Sequence, residues 1–224
     1  MRQLRVEQTG SISHKKPGRF ITIEGIEGVG KTTNVNLVAD YFRDRGATVV
    51  VTREPGGTEI GERIRDLILM TPGQGLSDLG ELLLMFAARA EHLAALIRPA
   101  LERGETVVCD RFSDATFAYQ GGGRGLDMQV IAALRDIVQG SLRPDLTLLL
   151  DAPAEVSARR IVGRDWQDRF EQERAEFFVR VRQAYLRLAH QEPGRVKVID
   201  ASQPLQQVQG QIRAVLSEKF ELAL

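Results

Sequence analysis

The stretch ITIEGIEGVGKTTN, residues 21–34, is the most informative part of this chain. Apolar and β-branched residues lead into three glycines, a lysine and two threonines, and the spacing of apolar residues then becomes helical. Glycines at the end of a buried strand leave the backbone N–H groups open to a ligand. The stretch therefore predicts that a large, negatively charged group lies against the backbone there.

Residues 25–32 fit the pattern G-x-x-x-x-G-K-[ST], with a predicted strand before it and a helix after it. Its glycines let successive N–H groups form an anion nest, to which the helix N-terminus adds partial positive charge. Lys31 can reach β- and γ-phosphates, and the Thr32 hydroxyl suits Mg²⁺. A glycine-rich turn that binds nothing is the alternative, and the Lys-Thr pair argues against it. The predicted ATP-binding residues are Gly25, Ile26, Glu27, Gly28, Val29, Gly30, Lys31, Thr32 and Thr33.

The composition excludes several classes of protein. Of the 224 residues, 43% are hydrophobic and 27% are charged, which suits a soluble α/β domain. Lys+Arg and Asp+Glu are equal at 30 each, so no basic field indicates nucleic acid. The single Cys109 fits a cytoplasmic protein without a disulfide framework. No apolar run reaches the ~20 residues that span a bilayer. We predict a flexible extension over 1–18, without a secretory signal, and one domain over 19–224.

Short Val/Ile/Leu runs alternate with helical sequence from residue 19 onward. The predicted strands lie in RFITIEG, ATVVVTREPGG, ETVVCDR, PDLTLLLDAP and RVKVID, and a long helix runs from Asp78 to about Arg103. Runs of this kind are typical of parallel strands covered on both faces. The predicted fold is α/β, a doubly wound five-stranded parallel sheet whose ligands bind beyond the carboxyl ends of the strands.

Three further polar clusters follow strands or lie on helices near that edge. TREPGGT (52–58) places Arg53 where it could hold a second phosphate, and CDRFSDATFAYQGGGRG (109–125) begins with an acidic residue, Asp110, that could order a Mg²⁺ shell. ARRIVGRDWQDRFEQE (158–173) is rich in arginine. Each cluster has an ordinary alternative, namely a turn, a capped strand end or a solvated basic helix face. Their joint position favours anion binding.

From about Phe20 to Lys219 the sequence resembles the bacterial form of thymidylate kinase, a nucleoside monophosphate kinase of the P-loop type. The resemblance rests on EGIEGVGKTT, TREPGGT, LLLMFAAR, VVCDRF, AYQGGGRG, RPDLTLLLD and DRFEQE, in the order and approximate spacing of that family. TREPGG together with DR…AYQGGGRG is far more specific than a P-loop alone.

The resemblance implies roles for residues of both substrate sites. Glu27 would hold the acceptor's 3′-hydroxyl, Arg53 would bind the acceptor phosphate, and Arg111 would bridge the donor and acceptor phosphates. Asp110 would support Mg²⁺, and Tyr119 would stack on the sugar and crowd a 2′-hydroxyl. The thymine edge and the rest of the acceptor cleft would be contacted by Gln120, Thr116, Arg89 and Arg65.

Two positions are less directly assigned by the resemblance. The family stacks a phenylalanine on thymine four residues before the base-contacting arginine, where this chain has Met85. Phe86, three residues before Arg89, shares that helix face, and we predict that it stacks. The P-loop carries no arginine, so a lid near 158–173 is expected to supply one. Arg164 is the first candidate, followed by Arg160 and Arg169.

The resemblance implies transfer of a phosphoryl group from Mg-ATP to dTMP, giving dTDP. Another P-loop nucleoside or small-molecule kinase is the first alternative, and a P-loop ATPase that acts as a switch is the second. The family also implies a homodimer packed through helices. The apolar helix LGELLLMFAARAEHLAALI (79–97) could supply that face or could equally belong to the core.

Overall fold

Five strands form one parallel sheet in this computed structural model. The structure describes residues 18–69, 75–161, 173 and 175–220. The strands are β1 (Phe20–Glu24), β2 (Val49–Arg53), β3 (Thr106–Asp110), β4 (Leu146–Asp151) and β5 (Val196–Asp200). Their order in the sheet is β2-β3-β1-β4-β5. The predicted five-stranded parallel sheet is therefore confirmed.

Helices cover both faces of this sheet. They are α1 (Lys31–Arg43), α2 (Glu59–Leu69), α3 (Asp78–His92), α4 (Arg98–Glu102), α5 (Ser113–Thr116), α6 (Met128–Gln139), α7 (Ala154–Ile161), α8 (Ala175–Gln191) and α9 (Leu205–Phe220). Every residue of β1 is buried, as an apolar central strand between two helical layers requires. Among these helices, none is long and apolar enough to cross a membrane.

The predicted long helix is interrupted by a wide turn. Residues Leu93–Ile97 between α3 and α4 have π-helical geometry, and the backbone N–H of Arg98 donates to the carbonyl of Leu93. Pro99 follows at once and has no N–H to donate to the preceding turn, which disfavours a regular α-helix there. The π-helical segment follows α3 and precedes α4 without a gap, so the three form one interrupted helix in the sequence.

The strand register brings four polar side chains to one edge of the sheet. Arg53 at the end of β2 is the register partner of Asp110 at the end of β3, and Asp110 is also paired with Ile23 of β1. Glu24 and Asp151 end β1 and β4. Because all the strands are parallel, these carboxyl ends line the crevice where ligands bind in open α/β sheets.

Candidate active site

The loop between β1 and α1 has the backbone conformation of an anion cradle. Gly25, Gly28 and Gly30 have φ values of 136°, 77° and 90°. A Cβ on Gly25 would lie 2.4 Å from the carbonyl oxygen of Leu150, so a larger residue does not fit there. Helix α1 starts at Lys31, directly after the loop. The backbone N–H groups and the helix N-terminus are thus available to a phosphate chain.

Lys31 is held against this loop. Its Nζ donates to the carbonyl oxygens of Ile26, at 2.8 Å, and Gly25, at 3.2 Å. Burial lowers the pKa of Lys31 to about 8, the positive charge of Arg111 acts in the same direction, and neighbouring carboxylates oppose the shift. A bound phosphate can form an ion pair with the ammonium group, which the two neutral carbonyl groups cannot.

Arg111, the residue after β3, joins the loop to the neighbouring cleft. Its Nη1 donates to the carbonyl oxygen of Gly25 at 2.9 Å, and its Nη2 donates to Oε1 of Glu27 at 2.7 Å. The side chains of this ion pair are 16% and 14% exposed, so the pair is shielded but open to a ligand. A guanidinium here can contact anions on both sides.

Tyr119 completes this cluster from the π-helical segment that follows α5. Its hydroxyl lies 2.8 and 2.7 Å from the two carboxylate oxygens of Glu27, to which it donates. The guanidinium carbon of Arg111 lies 4.8 Å from the centre of the tyrosine ring. Burial raises the pKa of Tyr119, and the negative charge of Glu27 adds to this effect, so the hydroxyl stays protonated. Glu27, Arg111 and Tyr119 therefore form one preorganised unit.

A cleft opens beside the loop. It contains nearly all the predicted acceptor-site residues. The lining comprises Glu27, Lys31, Arg53, Glu54, Pro55, Arg65, Leu69, Met85, Arg89, Asp110, Arg111, Phe112, Ala115, Thr116, Tyr119 and Gln120.

Phe86 is placed differently from the prediction. It is 2% exposed and packs with Leu82 and Ile131 between α3 and α6, away from the cleft lining. Met85 lines the cleft instead. Successive residues of a helix are rotated by about 100°, and in this structure α3 directs Met85 to the cleft and Phe86 towards α6. The packing of α3 on α6 takes Phe86 into the core.

Arg89 is a buried arginine with one nitrogen left for a ligand. Nε donates to Oε2 of Glu54 at 2.7 Å, and Nη2 donates to the carbonyl oxygen of Phe112 and to Oγ1 of Thr116, at 3.1 and 2.9 Å. Nη1 is buried without a hydrogen-bond partner among the described residues. Nδ1 of His92 donates to the other oxygen of Glu54, at 3.1 Å. The arginine is thus firmly oriented, with Nη1 as its spare donor.

Gln120 is oriented by a carboxylate that sequence reasoning missed. Its Nε2 donates to Oε1 of Glu81 at 2.9 Å, and both side chains are buried. Arg124 approaches the same carboxylate at 3.3 Å, which balances its charge. Because the amide nitrogen is engaged by Glu81, the amide oxygen of Gln120 is the group left as an acceptor.

Arg53 and Arg65 also line the cleft, and Arg53 is the register partner of Asp110. Arg53 is about half-exposed, and its Nη2 donates to Glu62 at 2.8 Å. Glu62 also accepts from the backbone N–H of Gly57 at 2.9 Å, which ties the turn after β2 to α2. Arg65 donates to the carbonyl oxygen of Pro55 at 3.0 Å. Both guanidinium groups are held by contacts that a phosphate can replace.

Asp110 and Thr32 are the residues that could hold Mg²⁺. Oδ1 of Asp110 is buried and has no hydrogen-bond partner in the part of the chain that the structure describes. Both residues line a second groove behind the loop. Mg²⁺ in nucleotide sites uses one or two protein oxygens together with phosphates and water. A buried carboxylate oxygen without a donor fits that chemistry, and Thr32 lines the same groove.

The predicted lid falls largely outside the described residues. Arg164 and Arg169 both lie there, and their roles stay predictions. Arg160, near the end of α7, donates to the carbonyl oxygen of Ala201 at 2.9 Å. This contact places Arg160 beside the segment after β5, and it does not line the cleft. The extension over 1–18 also lies outside the described residues, except for Gly18, which donates to Leu101.

Glu24 is a second carboxylate that the sequence did not reveal as part of the site. It has no exposed surface, and it accepts hydrogen bonds from the backbone N–H of Phe112 and the hydroxyl of Tyr185, each at 2.7 Å. Burial raises its pKa to about 8, repulsion from Asp114 adds to the shift, and Tyr185 and Arg111 oppose it. A glutamate ending an otherwise apolar strand is the one sequence signal that could have drawn attention to it.

The raised pKa of Glu24 predicts how stability depends on pH. Between about pH 4.5 and 8 the unfolded chain has lost this proton while the folded chain keeps it, so rising pH favours unfolding. The contribution of this group to the free energy of unfolding should fall by up to about 1.4 kcal/mol per pH unit. We expect the stability difference between the wild type and Glu24→Gln to change across this window in urea unfolding experiments. A difference that is independent of pH would contradict the shift.

The comparisons with known proteins agree with this geometry. The thymidylate kinase family model matches residues 23–212. The thymidylate kinase of Chromohalobacter salexigens is 60% identical over 206 residues, covering 91% of this chain and 97% of that protein. That of Pseudomonas savastanoi pv. phaseolicola is 54% identical and covers 92% and 98%. A crystal structure of thymidylate kinase from Ehrlichia chaffeensis is 37% identical, with a TM-score of 0.73 over 90% of this chain and 99% of that one. The chain therefore belongs to the thymidylate kinase family.

Proposed function

We propose that the cleft binds dTMP beside ATP held on the P-loop, and that the chain transfers the γ-phosphoryl group of ATP to dTMP. The products are dTDP and ADP. The observation that carries this proposal is the position of Arg111, whose two terminal nitrogens contact the P-loop carbonyl of Gly25 and the cleft residue Glu27. An arginine at this junction is suited to neutralise charge between a donor and an acceptor phosphate.

Three residues suit the recognition of thymine in the cleft. The spare Nη1 donor of Arg89 complements a 4-keto oxygen, and the free amide oxygen of Gln120 complements the N3–H group. Cytosine presents a donor and an acceptor in the reverse order, so it is rejected at both positions. We propose that Met85, which lines the cleft, packs on the base in place of Phe86.

Recognition of the sugar and of the acceptor phosphate involves different residues of the cleft. Tyr119 lines the cleft, and its hydroxyl donates to Glu27. Glu27 also lines the cleft, where its carboxylate can accept a hydrogen bond from a 3′-hydroxyl. A rigid ring at this position crowds a 2′-hydroxyl. Arg53 and Arg65 supply two guanidinium groups for the acceptor phosphate. Bidentate contacts of arginine with phosphate would orient the attacking oxygen.

In the proposed reaction an oxygen of the dTMP phosphate forms a bond to the γ-phosphorus of ATP while the bond to the ADP oxygen breaks. The acceptor phosphate is already ionised near neutral pH, so the step needs no general base. Lys31 and Arg111 stabilise the charge on the transferred group, because both are positioned in advance. Asp110 and Thr32 would hold Mg²⁺, which when bound neutralises charge on the β- and γ-phosphates.

Steady-state ADP formation with a panel of acceptors tests this function. We expect turnover to depend on dTMP, with weaker use of dUMP and little use of dCMP or the ribose counterpart of dTMP. A hydrophobic contact with the thymine methyl group is worth about 10-fold or more in kcat/KM, and reversed hydrogen bonds at the base edge cost considerably more. ADP release that is unaffected by any acceptor would instead indicate an ATPase switch. Equal use of dCMP would contradict the base assignments.

We also propose that the chain forms a homodimer through α2, α3 and α6. These neighbouring helices expose large apolar side chains at spacings of four or seven residues, which places each set on one helix face. They are Ile60 and Leu67 on α2, Leu79 and Leu83 on α3, and Val130 and Ile137 on α6. Helix α3 thus contributes both to the core, through Leu82, and to this exposed face. Sedimentation analysis at micromolar concentration would distinguish a dimer from a monomer.

A further inference from the structure

We propose that Glu24 is a positioning residue for phosphoryl transfer, because its carboxyl group acts on the backbone next to Arg111 and, through Tyr185, on the guanidinium group of Arg111. This inference rests on the proposed role of Arg111 between the two phosphate sites. Glu24 lines neither the P-loop surface nor the cleft. It would act through Arg111 and would not touch the substrates.

The backbone of Arg111 needs to be held. Its φ of 69° is the only positive value at a non-glycine residue in the described ranges. The left-handed region is unfavourable for a residue with a Cβ, so such a conformation persists only where surrounding contacts enforce it. The N–H of Arg111 donates to the carbonyl oxygen of Ile23 at 2.9 Å, and the next N–H, of Phe112, donates to Oε1 of Glu24 at 2.7 Å. The carboxylate thereby anchors the chain directly after the strained residue.

The second oxygen of Glu24 acts on the guanidinium group through Tyr185. Oε2 accepts from the Tyr185 hydroxyl at 2.7 Å, and that hydroxyl accepts from Nη1 of Arg111 at 3.4 Å. Nη1 also donates to the carbonyl oxygen of Gly25, the residue that follows Glu24. Residues 23–25, at the end of β1, therefore contact both the backbone around Arg111 and its guanidinium group.

Simple core packing does not explain a glutamate at this position. The side chain is fully buried at the end of β1, and an ionisable group placed there costs free energy unless its oxygens are well hydrogen-bonded. Burial and repulsion from Asp114 raise its pKa, while Arg111 and Tyr185 oppose the shift. Both oxygens are used, one for the backbone of Phe112 and one for Tyr185. These contacts support the position of Arg111 from its backbone and from its side chain.

A double-mutant cycle on kcat tests the inference. We expect Glu24→Ala to lower kcat by about 10- to 100-fold, because a misplacement of about 1 Å in a charged group can cost that much. The KM values for ATP and dTMP should change by less than about threefold, since the loss falls on the transition state. Glu24→Gln keeps the acceptor for the Phe112 N–H and should recover most of the lost turnover. In an Arg111→Ala background, Glu24→Ala should lower kcat by less than about twofold.

Each other outcome of the cycle overturns the inference. If Glu24→Ala lowers kcat by the same factor with and without Arg111, the effect does not pass through Arg111. If Arg111→Ala keeps the wild-type kcat, the role of Arg111 is wrong while dTMP-dependent turnover, and so the proposed function, still stands. Should Glu24→Ala fail to fold, Tyr185→Phe removes only the hydroxyl that links Glu24 to Nη1. Tyr185→Phe should lower kcat by a smaller factor than Glu24→Ala, and this loss should also disappear in the Arg111→Ala background. A loss of kcat that persists there contradicts the inference.

Discussion

Lys31→Ala is expected to lower kcat at least about 100-fold, the scale associated with loss of one preorganised electrostatic contact. The ammonium group lies at the start of α1, where the P-loop delivers the β- and γ-phosphates. Before substrate binds it is held by two neutral carbonyls, of Gly25 and Ile26. As the γ-phosphoryl group moves, negative charge accumulates on the ADP oxygen. The lysine is already positioned to stabilise this charge. The variant removes this charge and leaves the loop backbone in place.

The measurement is ADP formation at saturating ATP and dTMP. Lys219→Ala is a matched control, because Lys219 is an exposed lysine near the end of α9 that contacts only the carbonyl oxygen of Gly194 in the described structure. It should retain the wild-type kcat. Thermal unfolding of both variants verifies that the fold is intact. Near-wild-type turnover of a folded Lys31→Ala protein would contradict the proposed role of the P-loop in phosphoryl transfer.

Arg89→Ala is expected to lower the free energy of unfolding by about 3–5 kcal/mol, as breaking a buried ion pair does. The side chains of Arg89 and Glu54 are 3% and 4% exposed, and they are joined by a 2.7 Å contact. Without the guanidinium group, Glu54 is left buried with His92 as its remaining side-chain partner. The hydroxyl of Thr116 and the carbonyl oxygen of Phe112 also lose a donor. The cleft wall between α3 and the segment after β3 is therefore weakened.

Arg53→Ala provides the contrast within the same cleft. Its ion pair with Glu62 is 54% and 41% exposed, and exposed pairs contribute about 1 kcal/mol or less. Urea unfolding should show little change for Arg53→Ala, while its KM for dTMP should rise because the acceptor phosphate loses a contact. Equal stability of Arg89→Ala and the wild type would mean that Glu54 finds another partner. An unchanged KM in Arg53→Ala would remove Arg53 from the phosphate site.

Local sequence was sufficient for the fold and for the phosphate-binding end of the site. The glycines of residues 25–30 impose positive φ values, and the lysine that follows starts a helix, so the anion cradle depends mainly on neighbours in the chain. Short runs rich in Val, Ile and Leu identified all five strands, and the three central strands, β3, β1 and β4, are almost entirely buried, as strands covered on both faces should be. Parallel strands then bring Arg53 and Asp110 to one edge by topology alone. These features require no knowledge of side-chain packing.

Long-range packing was required for the rest of the site. Glu54 and Glu81 orient Arg89 and Gln120, and Glu24 accepts from the backbone of Phe112 beside Arg111. The partners are 35 to 88 residues apart in the sequence, and no local pattern encodes such contacts.

The choice between Met85 and Phe86 has the same origin. Both side chains are apolar and adjacent on α3, and the sequence pattern permits either of them to face a ligand. The rotation of α3 is set by Leu82 and Phe86 packing against Ile131 of α6, a residue more than 40 positions away. Burying the larger aromatic ring in that contact removes apolar surface from water, and Met85 is consequently left to line the cleft.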